Sequence, residues 1–191
     1  MAMDADDPQA GAPPREILLL RHAKASRDAA EAATDFDRPL TRRGRRDAPR
    51  MARWLKTHEL VPDCVVASPA RRARETAELV VDELGLAEGG TRFDERVYDA
   101  DVQALLEVLA GSPPEAQRVL LVGHNPGLED LVRQLGGVAA GEPAKGKFFP
   151  TCALARLAVE SPWPELGAGK TSLVAIVSWS RKKRAWKVRH G

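Results

Sequence analysis

Two cysteines in 191 residues, Cys64 and Cys152, are too few and too far apart for a disulfide framework or a thiolate metal site, and no CxxC pair occurs. Both sit in apolar runs and read as reduced core thiols. An excess of either charge is also missing. The 29 Lys and Arg nearly cancel 27 Asp and Glu, leaving a formal +2, so composition makes no case for a nucleic-acid partner. No apolar run approaches the ~20 residues that crossing a bilayer takes. Met1 to Arg15 carries Asp4, Asp6 and Asp7 among Pro and Ala, without the basic head and apolar stretch of a signal peptide. These absences predict a cytoplasmic protein with no membrane association and a disordered N-terminal arm over 1–15. Internal repeats are absent as well.

What is present supports one core. With 43% hydrophobic residues the chain can bury a single substantial interior, expected over 16–180 and followed by a basic tail over 181–191. A short charged terminus of that kind reads as solvated. Ile17 to Leu20 is a continuous apolar run without a helical stripe, suited to a strand buried on both faces, and Cys64 to Ala67 and Val119 to Val122 repeat the pattern. Each is followed by a turn signal and a helical pattern, which implies a doubly wound α/β sheet.

The first helix is expected to start near Thr41 and run through Met51, Trp54 and Leu55; Pro49 either kinks it or begins its main body. A second is expected to be capped by Ser68 with Pro69 at its first position, to bury Ala73, Ala77, Val80, Val81 and Leu84, and to close at Gly85. Asp101 caps a third with Leu105, Leu106, Val108 and Leu109 inward. Asn125-Pro126 opens a fourth through Leu128, Leu131, Val132 and Leu135. Gly136 to Lys147 reads as an exposed loop, and Cys152 to Val159 and Ser172 to Ser178 as late strands.

In open α/β sheets ligands bind outside the carboxyl ends of the strands. The junctions there read Arg21-His22-Ala23-Lys24, Ser68-Pro69-Ala70-Arg71-Arg72-Ala73-Arg74-Glu75-Thr76 and Gly123-His124-Asn125-Pro126-Gly127. Each brings a His or Arg to one edge, and two also present a helix N-terminus, an arrangement suited to phosphate oxygens. Singly, each piece has an ordinary structural explanation: a histidine after a strand, a turn, a capped helix. Together they place two of only four histidines, and the basic cluster that opens a helix, at predicted strand ends.

The Arg-His-Ala-Lys opening, Arg38-Pro39-Leu40-Thr41 with Gly44, Ser68 to Thr76, Gly-His-Asn-Pro-Gly and Phe149-Pro150-Thr151 resemble the histidine phosphatase superfamily, which includes the cofactor-dependent phosphoglycerate mutases. Within it they look like the compact SixA-type phosphohistidine phosphatases, over Ile17 to about Val159. The resemblance implies a single-domain three-layer α/β/α sandwich with a mostly parallel sheet, phosphoglycerate mutase-like. It also implies a phosphatase that needs no metal or cofactor. His22 would be the nucleophile, and Arg21, Arg72 and a protonated His124 would hold the phosphoryl oxygens, with Asn125 also against the substrate. Arg72 is preferred to Arg71 because neighbouring helix residues point about 100° apart and Arg72 matches the family's spacing after Ser68. Glu95 occupies the place of the mutases' proton-donating Glu; its alternative is an exposed loop carboxylate.

Two departures stand against the family pattern. Ala23 replaces the Gly of the name-giving triplet, and Ala25 stands where many members carry a hydroxyl, with Ser26 one residue late. Arg189-His190-Gly191 spells the triplet without a strand end before it and is a decoy. The implied substrate is phosphohistidine in a protein. The alternatives are a small phosphorylated metabolite, handled by a phosphomonoesterase or mutase, and an inactive phosphate-binding or scaffold domain.

Overall fold

The computed structural model describes residues 14–87, 89–138, 148–167, 169–180 and 182–191. Most of the expected N-terminal arm, and most of the loop expected over Gly136 to Lys147, lie outside them. The apolar runs form β1 (Arg15–Arg21), β2 (Cys64–Ala67) and β4 (Arg118–Gly123), and β3 (Thr91–Phe93) joins them on the outer side of β2. The helices between them are α1 (Arg42–Thr57), α2 (Arg71–Leu84), α3 (Val102–Ala110) and α4 (Gly127–Leu135). Three more strands, β5 (Leu154–Val159), β6 (Thr171–Ser180) and β7 (Ala185–His190), complete a sheet in the order β3-β2-β4-β1-β5-β6-β7.

Strand periodicity divides the interior in two. Leu18 and Leu20 of β1 face a core built with α1 and α2, while Ile17 and Leu19 face one built with α3 and α4. The result is the three-layer sandwich expected, but the sheet is mixed rather than mostly parallel. β1, β2, β3 and β4 are mutually parallel; β5 is antiparallel to β1, β6 to β5 and β7 to β6. The parallel strands are joined through α1, α2 and α3, whereas the chain reverses direction after α4 to enter β5, and β6 and β7 then add as antiparallel sheet neighbours with no α-helix between them.

The basic tail is not a free end. Ala185 to His190 pairs with Ser180 to Ala175, and Trp186 meets Trp179 edge to face at 5.2 Å between ring centroids. The alternation of Trp186 and Val188 with Lys187 and Arg189 is a strand pattern that the density of charge hides. Its lysine and arginine side chains suit a sheet edge, where charge opposes pairing with another chain.

Helix boundaries follow local chemistry. The Thr41 side chain caps α1 by accepting from Gly44 N at 3.2 Å, and the helix runs through Pro49 without a new start. Gly85, at φ 72°, closes α2, and Asp101 caps α3 by accepting from Ala104 N. α2 differs from expectation at its start. It begins at Arg71 after Ala70, because the Ser68 hydroxyl is occupied elsewhere: it accepts from Ala70 N and bonds a histidine ring.

Gly44 is required for a close approach. A Cβ there would lie 2.4 Å from the carbonyl oxygen of Lys24, which also accepts from Thr41 N and Oγ1. Thus α1 is pinned against the segment that follows His22. Gly44→Ala is expected to cost about 1–3 kcal/mol through forced displacement of backbone. Urea denaturation measures this, and an unchanged midpoint would show that the helix and the loop have room between them.

Candidate active site

β1 lies between β4 and β5, and its extension carries His22 to the carboxyl edge of the parallel strands. His22 N donates to Gly123 O and Arg21 N to Ala153 O, so both backbones are fixed by neighbouring strands. Ala23 N donates to Thr76 Oγ1 of α2, tying the same segment to the helix that supplies Arg72. His124 follows β4 directly, and its Nε2 is 2.8 Å from Ser68 Oγ, which follows β2. Arg72 leaves the first turn of α2.

These elements surround a cavity of about 480 Å³ at the sheet edge. Arg21, His22, Arg72, His124 and Asn125, the residues singled out in sequence, all line it, and the two imidazole centroids are 5.1 Å apart. Glu95 does not line it. It is exposed on a 3-10 turn over Glu95–Val97, a placement that fits the loop-carboxylate alternative. The turn is directed by Asp94, which caps it and pairs with Arg96. The carboxylates at the cavity are instead Asp35 and Asp99. Sequence reading passed over both, and Tyr98 with them, because each belongs to an irregular segment whose path no periodicity reveals.

The neighbours of the implied residues resolve two open points. Arg71 is exposed and pairs with Glu75 at 3.0 Å, whereas Arg72 is buried, so it is Arg72 that reaches the cavity. Ala25 lines the cavity, while the hydroxyl of Ser26 accepts from Asp28 N. Ser26 is not among the residues that line the cavity, so its hydroxyl does not replace the one absent at position 25.

The donor pattern suits an anion. His22 Nδ1 is 2.7 Å from the carbonyl of Ala23; since a carbonyl only accepts, Nδ1 carries the proton and Nε2 keeps its lone pair. Arg21 donates through Nη1 to Phe149 O at 2.8 Å, while its Nε is buried without a partner, as is His124 Nδ1. Unpaired buried polar atoms are costly, and both belong to residues that line the cavity, where a phosphoryl oxygen would satisfy them. Asn125 donates to Glu129 and to Phe149 O, which holds the loop after β4 against the segment around Phe149.

Burial and the neighbouring cations set the charge of the rings. The pKa of His22 is pushed down to about 3, by burial first, then by His124, with Arg72 and Arg21 adding to it; the Ala23 hydrogen bond opposes this. His124 is also lowered to about 3, by burial, Arg72 and Arg21, with Asp35 opposing. By the protein's own groups alone, both rings are neutral at physiological pH. The expected protonation of His124 therefore belongs to phosphate binding, since an arriving phosphate dianion would favour it.

These shifts also act on stability. The unfolded chain protonates both histidines below about pH 6.5, while the folded chain resists until about pH 3, so stability is full above that upper value and is lost as pH falls through the window. The loss is on the order of 1 kcal/mol per pH unit for each ring. Urea midpoints measured between pH 7 and pH 4 should fall, and the double variant His22→Gln, His124→Gln should flatten the profile. An equally steep profile in that variant would assign the acid sensitivity to other groups.

Among the described residues no helix is long and apolar enough to cross a membrane. Comparison with known proteins agrees with the geometry. The family model of the histidine phosphatase superfamily (branch 1) matches residues 17–101. Phosphohistidine phosphatase SixA of Escherichia coli is 32% identical over 146 residues, covering 76% of this chain and 86% of that protein. A SixA homologue of Agrobacterium tumefaciens superposes with a TM-score of 0.71 at 29% identity, covering 87% of this chain and 99% of that one. The protein histidine phosphatase SixA in complex with tungstate gives 0.66 at 28% identity, over 83% and 93%. The chain belongs to the histidine phosphatase superfamily, in its SixA-type branch, and is a phosphatase.

Proposed function

We propose that the protein removes phosphate from phosphohistidine in a protein substrate through a covalent intermediate on His22. The observation that carries this reading is the state of the His22 ring: neutral, buried, its Nδ1–H held by the Ala23 carbonyl, with the lone pair on Nε2 in a cavity lined by Arg21, Arg72 and His124.

Nε2 attacks phosphorus, the bond to the leaving group breaks, and the transferred phosphoryl is held by the two arginines and His124 as its charge redistributes. Because Nδ1 already carries a proton, phosphorylated His22 is an imidazolium. Water then attacks the phosphorus, and His22 departs as a neutral ring with the proton still facing Ala23 O. Binding at the arginine pair places donors before the reaction begins, so their effect is realised in the transition state without reorganisation.

The choice of phosphohistidine over an alkyl phosphate rests on the leaving group. An alkoxide must be protonated as it leaves, and Glu95, the residue that would have supplied the proton, stands outside the cavity. A protonated imidazole leaves unaided. The SixA relatives, named for phosphohistidine, support the same choice.

The test is a quench experiment with a labelled phosphodonor. The protein should retain an acid-labile, base-stable phosphate, and turnover of a histidine-phosphorylated protein should exceed that of alkyl phosphates. Acid-stable label, or faster cleavage of alkyl phosphates, would overturn the proposal.

A further inference from the structure

Asp35 lies between a 3-10 turn (Ala29–Glu31) and α1, in the segment that follows His22, and it lines the cavity together with Arg72 and His124, which are distant in sequence. Arg72 Nη1 donates to its backbone carbonyl at 2.5 Å and Nη2 to its Oδ2 at 2.9 Å. Arg38 Nη1 donates to Oδ1 at 2.6 Å, and the Tyr98 hydroxyl lies 3.5 Å from Oδ2. The Asp35 side chain is nevertheless 54% exposed, open to whatever enters the cavity mouth.

We propose that Asp35 is a specificity residue that reads the leaving group: its carboxylate, seated on Arg72, accepts the ring N–H of the departing imidazole and so favours phosphohistidine over phosphate esters. This rests on the phosphohistidine reading above. Three features of the site support it.

The first is connectivity. A guanidinium has five N–H donors, and Asp35 uses two of those on Arg72, leaving three for the phosphoryl group. Arg72 therefore holds the transferred group and the carboxylate side by side, and a ring bonded to that phosphorus is brought to Asp35.

The second is charge. The groups facing the carboxylate are Arg72 from α2, Arg38 from its own segment, Tyr98 after the 3-10 turn at Glu95–Val97, and His124 after β4. The two arginines hold the Asp35 carboxyl below the usual carboxylate range, Arg38 contributing most, so it is an acceptor and not an acid at neutral pH.

The third is the chemistry of the bond. A phosphorylated imidazole would leave as an anion unless its second nitrogen is protonated. When it is, P–N cleavage returns the electron pair to the leaving nitrogen and releases a neutral ring, while the new bond forms at His22 Nε2. An ionised carboxylate favours that protonated ring by charge and by hydrogen bond. It can do nothing for an alkoxide, which needs a proton donor. Tyr98 also lines the cavity, its ring edge to face with Phe36 at 5.0 Å, and offers an aromatic wall for the substrate ring.

Asp35→Asn keeps the size of the side chain and an oxygen for Arg72 while removing the charge. Its kcat/KM should be compared with the parent on a histidine-phosphorylated carrier protein and on p-nitrophenyl phosphate, whose leaving group needs no acid. The loss on phosphohistidine should exceed the loss on the aryl ester by at least about tenfold. The alkaline limb of phosphohistidine turnover should also move to lower pH, because the ring then depends on solvent alone for its proton. Equal losses on both substrates would make Asp35 a support for Arg72 only. Gains on both, with tighter inhibition by inorganic phosphate, would make it a competitor for the phosphate site. Either result overturns the proposal. Failure of the underlying reading is seen separately, in the parent: cleavage of the aryl ester with phosphohistidine left intact removes the substrate assignment, and the role of Asp35 with it.

Discussion

His22→Ala is expected to lower turnover by at least about a thousandfold and to abolish the acid-labile label, because no other group at the site can take its place as nucleophile. His124 is the nearest imidazole, 5.1 Å away between centroids, but its Nε2 is bonded to Ser68, which holds the ring in a fixed orientation. Arg21, Arg72 and His124 remain in the variant, so inorganic phosphate should still bind. Loss of turnover with retained phosphate binding separates a missing nucleophile from a collapsed site. A variant that kept about a tenth of the parent's turnover would remove the covalent scheme.

Arg72→Ala should reduce turnover by about a hundred- to a thousandfold, the scale seen when one preorganised donor to a developing charge is removed. Two effects combine there. The phosphoryl group loses a guanidinium, and Asp35 loses the partner that seats it at the cavity. Arg72→Lys should recover only part of the loss, since an ammonium cannot hold the Asp35 carbonyl, its carboxylate and a phosphoryl oxygen with a single planar fork. Arg71→Ala is the control. Arg71 is exposed and engaged by Glu75, so its removal should leave turnover within about a factor of two. If the two alanine variants were equally impaired, the assignment of the cavity arginine would be wrong.

Much of the fold can be read from the chain because the readable parts are locally encoded. β1, β2 and β4 are continuous apolar runs, and α2, α3 and α4 show a buried stripe that matches the core residues Ala73, Ala77, Leu105, Leu128 and Leu131. β3 and β7 escaped. The first is too short for a pattern, and the second carries its alternation beneath a run of lysine and arginine. The direction of β5 to β7 was also hidden, since parallel and antiparallel pairing depends on how connections travel over the sheet, which side-chain periodicity does not record.

The sequence by itself determined the neighbourhood of His22. An apolar run, an abrupt Arg-His, and similar junctions at two other strand ends are local signals, and strand ends of one open sheet meet at one edge. Only the tertiary structure decided which carboxylate shares that edge. Glu95 stands at the expected place in the chain but on a turn directed outward by Asp94, while Asp35, 37 residues before Arg72, is folded back onto it. The reason is physical: strands and helices are specified by residues near one another in sequence, whereas the path of a loop is set by long-range bonds such as Arg72 to Asp35 and Arg38 to Ser26 O, which exist only once the sheet has assembled.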